Sequence, residues 1–188
     1  MELMTRTLCS IAAVTVFAAI PLMSVSAATP GDNADVFLKT AAEGNQAEIA
    51  LGQLALQQGE SAEVKQFGAT MIQDHQKANQ EVQELASKEG VQLPGRMNEK
   101  QKVRQAHLAQ LSGHAFDLAY MQYMMKDHRN EVKQFEQTAQ QLQNPAVKTW
   151  AFKTLPILQH HLERASNVAP KLGPMTLFSE EAAAPASQ

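Results

Sequence analysis

Val64, Gly68, Met71, His75, Ala78, Val82 and Leu85 step along the chain by four and three residues. That spacing puts all seven on one face of an α-helix and scatters them over both faces of a strand. Similar stripes recur between residues 33 and 169, where Gly and Pro are sparse and Gln, Ala, Glu, Lys and Leu dominate. Such a chain can bury its apolar surface only by packing helix on helix, so the expected fold class is all-α.

The first helix is expected from about Asn33 to Gln58, with Val36, Phe37, Ala41, Leu51, Leu54 and Ala55 on one side and Gly59 at its end. Ser61 suits the N-cap of a second helix, which Gly90 and the Leu93-Pro94-Gly95 stretch bring to a stop. A short helix from about Asn98 to Leu111 comes next, and Ser112-Gly113 opens a third long helix, His114 to Leu142. Asn144 and Pro145 supply an N-cap and a first-turn proline for a fourth, reaching about Ala169 with a bend near Pro156. Its stripe is Val147, Ala151, Thr154, Leu158, His161, Ala165 and Val168.

The connections select the topology. Helices one and two, and helices three and four, are joined by short turns and form antiparallel hairpins. The link between Gly90 and Leu111 holds about seven extended residues at about 3.3 Å each and about 14 helical ones at about 1.5 Å each, a reach of roughly 40 Å. A link of bundle length can cross from one end to the other. Helices two and three then run parallel, the arrangement of a ferritin-like four-helix bundle with a long crossover, here over residues 33–169.

Outside the bundle the chain has a different character. Arg6 near the start, an apolar run from Leu8 to Val25 and the small residues Val25-Ser26-Ala27 form a secretory signal over residues 1–27, cut after Ala27. A membrane anchor is the alternative, but Ser10, Thr15 and Pro21 interrupt a run that would need about 20 apolar residues. Residues 28–32 read as a linker, and 170–188 as a disordered tail without periodicity. The expected compartment is therefore periplasmic or secreted, with peripheral outer-membrane association open and no transmembrane segment in the mature chain. Cleavage also removes Cys9, the one cysteine, so no disulfide or thiolate ligand is left. The net charge is −3 with no basic stripe, which argues against nucleic acid as a partner.

Within the bundle, MIQDH at 71–75 returns as MMKDH at 124–128. His75, His128 and His161 each occupy an inward position where an aliphatic residue would be ordinary, on three different helices and near mid-bundle. Glu48 projects inward from the first helix, one or two turns off that level. A buried imidazole must satisfy its polar atoms. Three imidazoles and one carboxylate, from four helices, form a ligand set for one transition ion, Fe, Mn, Zn or Cu. Asp74 and Asp127 stand beside the histidines to orient the rings, and Asp117 and Tyr120 are the further polar groups on the inward face of the third helix.

Other readings stay open. The residues three before the histidines are Ile72, Met125 and Leu158, so the Glu-x-x-His pairs of di-iron bundles are missing and a single ion is expected. Met71 and Met124, four residues before histidines, offer thioethers to Cu(I) or simply fill the core. Alternatively the histidines are satisfied core residues, and the chain is an interaction or envelope-stress protein. The sequence holds no nucleophile elbow, phosphate loop or dinucleotide fingerprint, and no catalytic residue is assigned.

The stretches AEIALGQLA (47–55), FGATMIQDH (67–75), LSGHAFDLAYM (111–121), His128 and LPILQHHL (155–162) together resemble the domain of unknown function 4142 family of predicted outer-membrane or periplasmic proteins, grouped with ferritin-like bundles. The resemblance covers about residues 33–169. It matches Glu48, Asp74, His75, Gly113, Phe116, Asp117, Tyr120, His128 and His161 to the family pattern but not His160, and it implies fold and compartment rather than an activity.

Overall fold

The computed structural model describes residues 33–174; the expected signal, linker and most of the tail lie outside the described residues. Five α-helices follow in order: α1 Ala34–Gln58, α2 Ala62–Glu89, α3 Glu99–Leu108, α4 Gly113–Gln141 and α5 Pro145–Val168. No strand occurs among the described residues, so the fold is an all-α bundle of four long helices and one short one.

Local chemistry sets the helix starts. The Ser61 hydroxyl accepts from Glu63 N–H at the head of α2. Asn98 and Gln101 form a reciprocal capping box on α3. The Asn144 side chain accepts from the N–H groups of Ala146 and Val147, with Pro145 in the first turn of α5. Pro156 lies inside α5 and the helix continues through it. The carbonyl it leaves without a donor is that of Phe152, a residue on the solvent face, where water can replace the bond. Past Val168 the chain tightens into a 3-10 turn, Ala169–Leu172. Pro170 to Leu172, expected in the disordered tail, thus extend the bundle, and Ala169 is buried in its core.

Polar contacts between helix ends fix the directions. Asp117, near the start of α4, accepts from Glu60 N–H at 3.1 Å and Ser61 N–H at 2.7 Å, at the turn between α1 and α2. At the opposite end the Asn144 amide donates to Glu89 at the close of α2. Lys171, just past α5, returns to Glu63 at the start of α2 at 3.0 Å. So α4 begins where α2 begins, and the two run parallel. The link from 90 to 112 crosses the length of the bundle along α1, held by Gln46 donating to the Pro94 carbonyl and Asn98 donating to Glu43.

Helices α1 and α2 approach closely through two glycines. A Cβ added to Gly52 would stand 2.7 Å from the Gly68 carbonyl oxygen, and one on Gly68 would stand 2.6 Å from Ala55 Cβ. Neither position has room for a methyl group.

The apolar core falls into two clusters. Phe67, Met71, Leu108, Phe116, Tyr120, Met121 and Met124 anchor one, toward the α1–α2 turn. Phe37, Leu38, Val82, Phe135, Val147, Trp150 and Leu158 anchor the other. Between them the bundle interior is polar, holding Asn45, Glu48, His75, His128 and His161, all buried.

Candidate metal centre

Each of the three histidines comes from a different helix: α2, α4 and α5. Their ring centroids are 5.9 Å apart for His75 and His128, 5.4 Å for His75 and His161, and 5.2 Å for His128 and His161. One ring nitrogen of each lies within 4.8 Å of those of the other two.

The hydrogen bonds decide which nitrogens are free. His128 Nδ1–H donates to the Met124 carbonyl at 3.0 Å, one turn back on α4. His75 Nδ1–H donates to Asn45 Oδ1 at 2.9 Å, across to α1. His161 Nε2–H donates to Asp74 Oδ2 at 2.8 Å, across to α2. All three acceptors are oxygens, so the hydrogen of each neutral ring sits on the bonded nitrogen and the lone pair on the other. Those other nitrogens, His75 Nε2, His128 Nε2 and His161 Nδ1, are buried without a partner.

Burial keeps the rings uncharged. It pushes His75 well below the usual histidine range, helped by His128 and His161. It takes His128 down to about 3. His161 is lowered by burial too, against the opposing pull of Asp74. Neutral imidazole is the form that binds metal.

A second polar group lies on the α1 side. Glu48 is fully buried, and burial together with the Asp127 and Glu131 carboxylates raises its acid well above the usual range. Asp127 is raised by burial and is held in check by hydrogen bonds with Glu48 and Tyr123 and by Arg104. Burial and the neighbouring carboxylates thus favour the neutral acid at Glu48. The Arg104 guanidinium caps this group from α3, 4.8 Å over the Tyr123 ring.

The sequence-derived site residues are thus divided. His75, His128 and His161 come together, and Asp74 orients a ring, though it is the ring of His161 rather than that of its neighbour His75. Glu48 stands outside the histidine group, with the carboxylates of Asp127 and Glu131 near it. Asp117 serves the α1–α2 turn. Tyr120 stacks on Phe116 at 5.4 Å, with its hydroxyl buried and unpartnered. Met71 and Met124 belong to the apolar cluster around Phe67. His160 faces solvent near Glu163.

Two residues escaped the sequence reading. Asn45 lies three positions before Glu48, and Glu131 three after His128; both follow from helical spacing once the histidines are taken as a centre. Together with Asp74, His75, Phe135, Thr154, Leu158 and His161 they line a cleft with about 70 Å³ of room. The cleft reaches two of the three histidines, His75 and His161, from outside.

No helix among the described residues is long and apolar enough to cross a membrane. No curated protein and no solved structure matches the chain. A family does match, over residues 21–168, and it takes in every helix of the bundle and all three histidines. The chain belongs to the family described as domain of unknown function (DUF4142).

Proposed function

We propose that the protein is an exported bundle that holds one divalent transition ion through His75 Nε2, His128 Nε2 and His161 Nδ1. The observation that carries this reading is the set of three buried, unpartnered ring nitrogens in one place. A buried acceptor without a donor costs about 1–3 kcal/mol, and three gathered lone pairs repel one another. A cation removes both penalties. Ion-to-nitrogen distances near 2.0–2.1 Å require only a modest contraction of the present triangle. The orienting bonds from Asn45, the Met124 carbonyl and Asp74 are the kind that hold metal-bound imidazoles in place.

The parallel pairing of α2 and α4 is the order that ferritin-like bundles use, and the absence of Glu-x-x-His favours one ion over two. Export rests on the signal pattern of residues 1–27, and it places the ion in the periplasm or outside the cell, with envelope association peripheral.

Thermal unfolding of metal-free protein with and without Zn(II), Mn(II), Fe(II), Co(II) and Cu(II) tests the site. An ion at 100 times its dissociation constant adds about 2.7 kcal/mol, and His75→Ala, His128→Ala or His161→Ala should each abolish that gain while His160→Ala keeps it. A wild type that gains nothing from any ion overturns the reading and leaves the histidines as packing residues. Intact mass of the exported protein, expected to start at or near Ala28, tests the compartment.

A further inference from the structure

Three histidines leave an ion short of ligands, and the cleft shows where the next one comes from. Resting on the metal reading, we propose that Glu131, and not Glu48, is the carboxylate that completes the centre, making it a three-nitrogen, one-oxygen site.

Glu131 follows His128 by one helical turn, so the two side chains neighbour each other on α4. It lines the same cleft as His75 and His161, and its Oε2 is buried with no hydrogen-bond partner. Room for the carboxylate comes from α1: a Cβ on Gly44 would stand 3.2 Å from Glu131 Oε1. Glycine inside a helix costs about 0.5–1 kcal/mol, and here the missing side chain is the space the carboxylate uses.

Charge points the same way. A dication with three neutral imidazoles would leave two positive charges in a protein core, and an anionic ligand halves that excess. Glu48 is less suited, because it stands on the α1 side beside the Asp127 carboxylate and does not line the cleft. An oxygen ligand also turns the site away from Cu(I), which prefers sulfur and nitrogen, and toward divalent ions that accept imidazole and carboxylate together.

Co(II) is the probe, since its visible bands report the ligand set. Co(II) is titrated into metal-free full-length protein and followed by absorbance. Glu131→Gln, nearly the same shape, should weaken Co(II) roughly 10- to 100-fold and shift the visible bands, while Glu48→Gln should change affinity less than about threefold. Gly44→Ala, which favours the helix but crowds the carboxylate, should weaken Co(II) in the same direction without lowering the unfolding temperature of the metal-free protein. If wild type binds and His161→Ala does not, yet Glu131→Gln and Gly44→Ala bind like wild type, the centre stands and Glu131 is excluded. Loss in Glu48→Gln alone would assign the oxygen to Glu48 and overturn the proposal. No binding by wild type removes the centre and this ligand with it.

Discussion

Asp74 and Asp127 precede their histidines in near-identical pentapeptides, yet their carboxylates meet opposite surroundings. Asp74 is partly exposed and accepts from His161, 87 residues away. Asp127, half-buried as well, faces Glu48 and Tyr123. The repeat made the inward histidines legible, because a 3.6-residue period fixes direction. Partners across the bundle were not legible, because they depend on how each helix is rotated against its neighbours. Thus helical spacing could bring Glu48 inward but could not show that Asp127 and Glu131 are its neighbours. The same burial makes metal-free stability depend on pH. The unfolded chain takes up protons at its histidines near 6.5, whereas the folded rings resist to lower pH, His75 and His128 most. Below about 6.5 the unfolded state binds more protons, and stability falls as pH falls, by on the order of 1 kcal/mol per pH unit for each ring. Glu48 and Glu131 act in the opposite sense: their folded acids keep protons that the unfolded chain releases near 4.5. Their contribution is present below 4.5 and is lost as pH rises. Urea unfolding of metal-free protein should therefore show a maximum between about pH 4.5 and 6.5, and stability still climbing from pH 7 to 8 would mean that these carboxyls are ionised in the fold.

At the scale of the element, the helix starts at Ser61, Asn98 and Asn144-Pro145 could be read from the sequence because capping is local chemistry. The short helix stops at Leu108 rather than at the expected Leu111, since no glycine or proline marks its end and Leu108 is drawn into the core. The turn after Val168 was missed for a related reason. Pro170 looks like a helix breaker, but the burial of Ala169 holds the chain on the bundle for one more turn. The tight crossing of α1 and α2 was also hidden, because glycine in a helical pattern signals weakness until a neighbour is found over it. Gly68→Ala would gain about 1 kcal/mol in an open helix. Here the methyl meets Ala55, and a loss of about 1–3 kcal/mol is expected from overpacking. Urea midpoints at constant slope will decide, and a stabilised variant would show that the two helices can part at no cost.

For the whole molecule, the length of the 90–111 link was enough to anticipate parallel α2 and α4, and the contacts of Asp117, Asn144 and Lys171 give that order. Spin labels at the exposed residues Glu84 and Ala115 should stand about 30 Å apart, from about 1.5 Å of rise per residue; a distance below about 20 Å would require an up-down-up-down bundle instead. The division of the apolar core into two clusters was less visible, because each stripe reads as continuous when the histidines are taken one helix at a time. Counting from the hairpin turns already put the three histidines near mid-bundle, but only the assembled bundle shows Asn45 joining them there. That level works as an index mark. Long helices can slide past one another by a turn, about 5.4 Å, and still find apolar partners. In this bundle such a slip would carry an imidazole among Phe67 and Met71, or a methionine among the histidines. The same layer that gathers the three histidines thus keeps four helices in step.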